Sequence, residues 1–399
     1  MKSIYILIYL LIFTCHTINA QNYSAPSSAA TGSGTNNTVV GDLAGSNLAT
    51  NSSNSIFGFL SGASLTTGSN NCFFGSDSGF SSTEGGSNSF FGRGTGSANT
   101  TGSSNSFFGT FAGTRNETAD DNSFFGIGSG FHNISGSGNS FFGKHSGLYN
   151  TSGKENCFFG KQSGQSNTTG LWNAFYGFKS GSSNISGTGN SFFGQKSGER
   201  NSSGSGNTFL GRGSGMNNLT GKFNTYVGMN AGSNSLGFSN ICIGYGAGPT
   251  NSSNSEKLYI DIQQSDDPLI YGDFDNDFVK INGTFEVTAG LSNPSDENLK
   301  TNFQNISEQE VLEKVSTLPI LRWTYKNRQQ ELHVGATAQD FYKAFGLGSG
   351  NKNISTIDAD GIALLAIKAL KKENDILKGQ NKRMIELIVD LTNRIEKLE

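Results

Sequence analysis

The chain is poor in charge, proline and cysteine. Only 15% of its 399 residues are Asp, Glu, Lys or Arg, against roughly 25% in an ordinary soluble domain. A net charge of -3 leaves no electrostatic footprint for nucleic acid. There are 5 prolines, none of them between Pro26 and Pro249, and glycine has no three-residue period, which excludes a collagen-like chain. Beyond Cys15 the cysteines are Cys72, Cys157 and Cys242, an odd and widely spaced set that is no disulfide framework. The histidines, His16, His132, His145 and His333, have no metal-ligand spacing. No pair of carboxylates recurs in a glycan-cleaving arrangement, so no cofactor and no metal is expected. What abounds is glycine, 55 residues, and phenylalanine, 31 residues. That much phenylalanine is too apolar for a disordered linker.

Lys2 precedes an apolar run over residues 4–13, then small and polar residues to Ala20. A basic start, a short apolar run and a small residue before Gln21 read as a secretory signal over residues 1–20. A lipidated Cys15 fits less well, because Phe13 and Thr14 stand where small residues belong. No later stretch is apolar enough to span a bilayer. The mature chain is therefore expected to be secreted or held at the cell surface.

A self-comparison reveals a clock. The glycines Gly41, Gly58, Gly75 and onward to Gly228 recur every 17 residues, and Gly244 follows after 16. Four places before each of these thirteen markers stands Asn, from Asn37 to Asn240; four places after stands Gly, from Gly45 to Gly248. The residue before that second glycine is always Ala, Ser or Thr, and the two residues before the marker are always apolar. A unit of this size cannot bury a core alone, so units must stack. Asn-x-Phe-Phe suits a short strand, and fixed glycines suit turns with positive φ. Asparagine at one fixed position predicts an amide ladder. These features predict a mostly β fold, a 17-residue-repeat β-roll or β-solenoid over residues 36–251. Its length is on the order of 60 Å at about 4.8 Å per coil. Cys72 and Cys157 hold equivalent positions five coils apart, so they cannot bridge and read as small apolar substitutes. The Asn-x-Ser/Thr triplets follow from repeat composition, not from glycosylation.

Neighbouring strand residues face opposite sides, so one phenylalanine of each pair fills the coil and the other forms an apolar stripe outside. Such a stripe is too large to leave wet, and the expectation is a parallel homotrimer whose outer ladders meet. The competing possibility is a monomer whose turns cover the second ring.

After Asn254 the texture changes. Residues 256–290 alternate as strands and turns, a small β connector. Asp273, Asp275 and Asp277 begin like a calcium loop, but its sixth and twelfth positions are Phe278 and Thr284, so the segment reads as a solvated turn. From residue 291 onward there are 15 Lys+Arg and 15 Asp+Glu, an ordinary globular density. Residues 367–399 carry a heptad, with Ile367, Asn374, Asn381, Ile388 and Ile395 at a and Leu370, Leu377, Met384, Leu391 and Leu398 at d. Isoleucine at a with leucine at d favours two strands, the repeat argument three, and the number of strands stays open.

Between connector and heptad stand Ser295-Asp296-Glu297-Asn298-Leu299-Lys300, then His333-Val334-Gly335-Ala336-Thr337-Ala338-Gln339-Asp340, then Ile357-Asp358-Ala359-Asp360-Gly361. In this order, and ahead of a coiled coil, they resemble serine peptidase family seventy-four. This is the intramolecular-chaperone autoprocessing domain that ends phage tail spikes and endosialidases. The Phe-Phe-Gly repeats resemble, in architecture only, the β-roll heads of trimeric adhesins. The first resemblance implies an α+β chaperone domain over residues 294–366 ending in the coiled coil, and a single-turnover Ser/Lys dyad acting on its own chain. Ser295 would attack the carbonyl of Pro294 with Lys300 as general base, and His333 and Gln339 would orient groups or donate to an oxyanion. The family often has Arg where this chain has Asn298, and Pro294 constrains the scissile region. The alternative keeps the domain as a permanent, non-cleaving trimerisation device on a structural or adhesive rod. There Ser295 caps a helix beginning near Asp296 and Lys300 is a surface charge. A glycan or cell-surface ligand is compatible with such a rod, but no residue identifies one.

Overall fold

A computed structural model describes residues 22–24, 34–250, 253–288, 293–326 and 328–398. The signal segment and Cys15 lie outside the described residues. Contacts divide the chain into two compact units, which meet between Phe285 and Glu286.

The first unit is a β-solenoid. Each 17-residue repeat contributes one short strand, from Asn37–Val40 through Ser140–Phe142 to Ile241–Ile243, and successive strands pair in parallel. The register advances by one whole repeat, so Ser140 stands opposite Cys157 and Phe141 opposite Phe158. Like residues therefore form columns. The first apolar residue before each marker glycine points inward; Val39, Ile56 and the phenylalanines from Phe73 to Phe209 are almost completely buried. Their rings stack nearly parallel, as in Phe124 on Phe141 at 4.8 Å and Phe209 on Tyr226 at 4.8 Å. Burying each such ring contributes about 1.5–3 kcal/mol.

The two fixed glycines are required for different reasons. Gly143 has φ +130, and a Cβ there would lie 2.7 Å from the backbone of Gly160 in the next coil. Gly147 has φ +57, and a Cβ there would lie 2.4 Å from the Phe141 ring. One glycine lets coils approach each other; the other makes room for the inner ring.

The asparagine ladder runs in the column the repeat predicts. Asn173 donates its backbone N–H to Asn156 Oδ1 at 3.0 Å, and Asn156 Nδ2 donates to the Gly170 carbonyl at 2.9 Å. A second ladder escaped the sequence reading. Asn116, Asn133, Asn150, Asn167 and Asn184 are fully buried, and each donates Nδ2 to Oδ1 of its predecessor at 2.7–2.8 Å. The small residue before the second glycine has a bonding role too: Ser146 Oγ donates to the Phe158 carbonyl at 3.0 Å.

The outer ring of each repeat forms its own stack. Phe57 to Phe193 make a continuous column with centroids 4.5–5.1 Å apart. Phe57 to Tyr176 are half-buried by their neighbours, while Phe193, Leu210 and Ile243 are exposed. Cys72 and Cys157 face the same side, and Cys72, Cys157 and Cys242 are free thiols.

The connector continues the solenoid sheet. Strand Lys257–Ile260 pairs in parallel with Ile241–Ile243, and Ile270–Asp273 and Phe278–Ile281 follow antiparallel. At the aspartate-rich turn Lys257 Nζ lies 2.9 Å from Asp273 and 3.5 Å from Asp275. An ammonium thus faces these two carboxylates, and its hydrogen bond holds the Asp273 carboxyl below its usual range.

The second unit contains helix α1 (Glu308–Thr317), an antiparallel hairpin (Leu321–Tyr325 with Arg328–Gly335), helix α2 (Ala338–Phe345) and the 41-residue helix α3 (Thr356–Glu396). Its small core joins Val311, Phe341, Ile362 and Ala366. Along α3 the heptad residues Ile367, Leu370, Leu377, Met384, Ile388 and Leu391 are all exposed. Among the described residues no helix is long and apolar enough to cross a membrane.

Candidate functional site

The segment that begins the second unit folds into a tight turn. Asp296 caps a 3-10 turn over Glu297–Leu299, its carboxylate accepting from both the backbone N–H and Nδ2 of Asn298 at 2.9 Å. Asn298 therefore helps to hold this turn. The N–H of Lys300 closes it onto the Glu297 carbonyl at 3.0 Å. Lys300 is thereby turned back on the chain, and its Nζ lies 2.6 Å from Ser295 Oγ. The cap is thus Asp296 and not Ser295, whose hydroxyl is engaged by the lysine. On the other side of Pro294, Asn293 Nδ2 reaches Thr356 Oγ1 at the start of α3, 3.4 Å away.

Pro294, Ser295 and Lys300 are all exposed in the single chain. His333 lies on the hairpin, its ring stacked on Trp323 at 4.7 Å and set edge-on to Tyr325. Its Nε2 is enclosed and has no hydrogen-bond partner among the described residues. Gln339 stands exposed in the first turn of α2, beside Thr337, which caps that helix. Among the described residues no hydrogen bond joins His333 or Gln339 to the Ser295–Lys300 pair. Two of the four site residues read from the sequence are thus brought together and two stand apart. Trp323, Tyr325, Asn293 and Thr356 were not legible, because nothing in their local spacing relates them to Ser295.

Chemically, a hydroxyl within hydrogen-bond reach of an amine is a nucleophile–base pair once the amine is neutral. An exposed lysine is an ammonium and only donates. Desolvation is the general means of making such an amine basic at neutral pH. Among the described residues no group of three or more His, Cys, Asp or Glu side chains is gathered to hold a metal.

No curated protein and no solved structure matches the chain. The segment that opens on this turn and runs through the hairpin into α2, residues 295–346, matches the model of the family described as the chaperone of endosialidase, serine peptidase family seventy-four.

Proposed function

We propose that this is an exported, homotrimeric fibrous protein of the secreted or surface-adhesive kind, whose C-terminal unit is an intramolecular chaperone that cuts the chain between Pro294 and Ser295. The observation that carries the reading is the 2.6 Å approach of Lys300 Nζ to Ser295 Oγ within a segment that resembles an autoprocessing chaperone.

The chemistry is a single turnover. Lys300, neutral, takes the Oγ proton as Ser295 Oγ adds to the Pro294 carbonyl carbon. The C–N bond breaks, the Ser295 nitrogen gains a proton and an ester remains between Pro294 and Ser295 Oγ. Water then hydrolyses that ester, leaving a Pro294 carboxylate and a free Ser295 amine. A hydroxyl adjacent to the bond it attacks has a high effective molarity. Assembly supplies the desolvation that the exposed lysine lacks, so cleavage reports that the chains have come together.

The repeats explain why a chaperone is useful. Slippage by one coil preserves nearly every ladder contact, so register is weakly specified by the repeats themselves. Long β pairing is also slow and exposed to aggregation. The exposed heptad of α3 is suited to join chains first and set register before the solenoids associate through their uncharged outer ladders.

The second reading, a permanent trimerisation domain, is favoured by the exposure of both dyad residues. Intact mass of the folded protein separates the two, with wild type beside Ser295→Ala and Lys300→Ala. A fragment beginning at Ser295 in wild type alone supports cleavage; full-length mass in all three leaves the non-cleaving device.

A further inference from the structure

Charge is segregated along the solenoid. Residues 34–142 hold two Lys or Arg and six Asp or Glu, a net of -4, whereas residues 143–250 hold eight and two, a net of +6. The positive half is ordered. Five successive coils each place one cation at the first or second residue after the marker glycine: Lys144, Lys161, Lys179, Lys196 and Arg212. Adjacent coils are in register, so these residues occupy two adjoining columns of the same turn, Lys144, Lys161 and Arg212 in the first and Lys179 and Lys196 in the second, and make one row two residues wide along that edge. The row spans roughly 19 Å at about 4.8 Å per coil.

The fold does little to neutralise it. Glu199 lies 3.4 Å from Lys196 and 3.8 Å from Lys179. Lys144, Lys161 and Arg212 are exposed and have no ion pair among the described residues. Phe178 sits inside the row with the ammonium groups of Lys161 and Lys179 at 5.9 and 5.7 Å from its ring centre. His145 is held below the usual imidazole range by burial and by the neighbouring charges of Lys144 and Lys161. Like charges side by side on adjacent strands repel, and the first of these repeat positions in the preceding six coils holds Asp42, Phe59, Ser76, Arg93, Thr110 and Ile127, a single cation among six. The solenoid therefore does not require cations here, and an uncompensated break of a local rule marks a surface kept for a partner.

We propose that this row is a binding edge for an extended anionic polysaccharide, carboxylated or sulfated, lying along the solenoid axis. A linear polyanion matches a linear row of cations. Sequence-tolerant nucleic-acid binding needs open aromatic faces on which bases stack, whereas Phe178 is attended by two ammonium groups and the His145 ring is half-buried. Gln162 and Gln195, on the same turns, add amide donors and acceptors suited to sugar hydroxyls.

The test uses the full chain with dextran sulfate, polygalacturonate, neutral dextran and a single-stranded DNA oligonucleotide as probes, at about 50 and about 200 mM salt. The expected result is binding to one or both anionic polysaccharides, with the two arms separating sulfate from carboxylate, and none to neutral dextran. The row variant Lys144→Gln/Lys161→Gln/Arg212→Gln weakens binding at least ~10-fold and flattens the salt dependence by up to about 0.9 per lost contact. The control Lys154→Gln/Arg200→Gln/Lys222→Gln removes the same charge from other positions and changes affinity less than ~2-fold. Circular dichroism verifies that both variants keep the wild-type unfolding midpoint; should the triple row variant lose it, the single charge reversal Lys144→Glu takes its place, with a loss of several-fold expected. Equal weakening by row and control variants overturns the proposal. So does tighter binding of DNA than of either polyanion, or no polyanion binding by wild type at low salt.

Discussion

Replacing Asn156 by alanine removes one rung of the first amide ladder, and the structure limits where the damage falls. Asn156 is 1% exposed. Its Oδ1 accepts from the backbone N–H of Asn173 at 3.0 Å and from Asn173 Nδ2 at 3.2 Å, while its Nδ2 donates to Gly170 O and to Asn139 Oδ1. In the variant, Gly170 O keeps its bond from Asn167 Nδ2, and Asn139 Oδ1 keeps the bond from the backbone N–H of residue 156. Asn173 Nδ2 keeps the Gly187 carbonyl. The orphan is the buried Asn173 N–H, which costs about 1–3 kcal/mol. The space left by the amide brings the total to about 2–4 kcal/mol. Asn156→Asp is the sharper probe: it retains an acceptor for Asn173 but sets a second oxygen against Gly170 O and Asn139 Oδ1. A carboxyl buried among acceptors has a folded pKa raised above its unfolded value of about 3.9. Its folded state is therefore most stable below that value and loses stability as pH rises through the raised pKa. The aspartate variant is thus expected to be less stable than the alanine variant at neutral pH and to recover on acidification. The assay is urea unfolding followed by circular dichroism at several pH values, with amide exchange locating the loss at Asn173. An alanine variant within about 0.5 kcal/mol of wild type, the range of ordinary surface substitutions, refutes the ladder argument. So does an aspartate variant as stable as wild type at neutral pH.

Gly147→Ala combines a left-handed backbone with a 2.4 Å clash on Phe141, and thermal unfolding is expected to register a loss of about 2–5 kcal/mol. Among the free thiols, Cys242 is pushed up to about 12 by burial, so maleimide labelling of folded protein near pH 8 is expected to reach Cys72 and Cys157 and spare Cys242. If chains associate in register through their outer ladders, a short bismaleimide links Cys72 to Cys72 and Cys157 to Cys157. A Cys72–Cys157 link would place chains five coils out of register and contradict that arrangement. Sedimentation of the mature protein is expected to give a trimer; a monodisperse monomer removes the outer-ladder argument.

Much of the solenoid was legible because a repeat multiplies each local signal. One Asn-x-Phe-Phe-Gly is weak evidence for a strand, but twelve such units with apolar pairs at a constant 17-residue spacing, and a thirteenth after 16, leave few ways to bury one side chain and expose the other. The second asparagine column, Asn99 to Asn218 in sequence and hydrogen-bonded from Asn99 to Asn184, was available to the same comparison. It went unread because the Asn begins only at the fourth coil, after Leu48, Leu65 and Ser82 at the same position. The second unit has no repeat to amplify it. The pairing of Ser295 with Lys300 was legible through a motif, whereas the Asp296 cap that produces it was hidden by the stronger expectation that serine caps. His333 was placed beside the nucleophile by resemblance, yet the single chain stacks it on Trp323. Contacts contributed by another chain leave no period in one sequence.

If the C-terminal unit folds the repeats into their register, expressing the chain without residues 295–399 deprives them of it. Truncation before folding is expected to yield aggregated repeats by sedimentation, whereas the full chain yields soluble trimers. Soluble trimers from the truncated chain, with the same circular dichroism and the same like-with-like cysteine links, would contradict it.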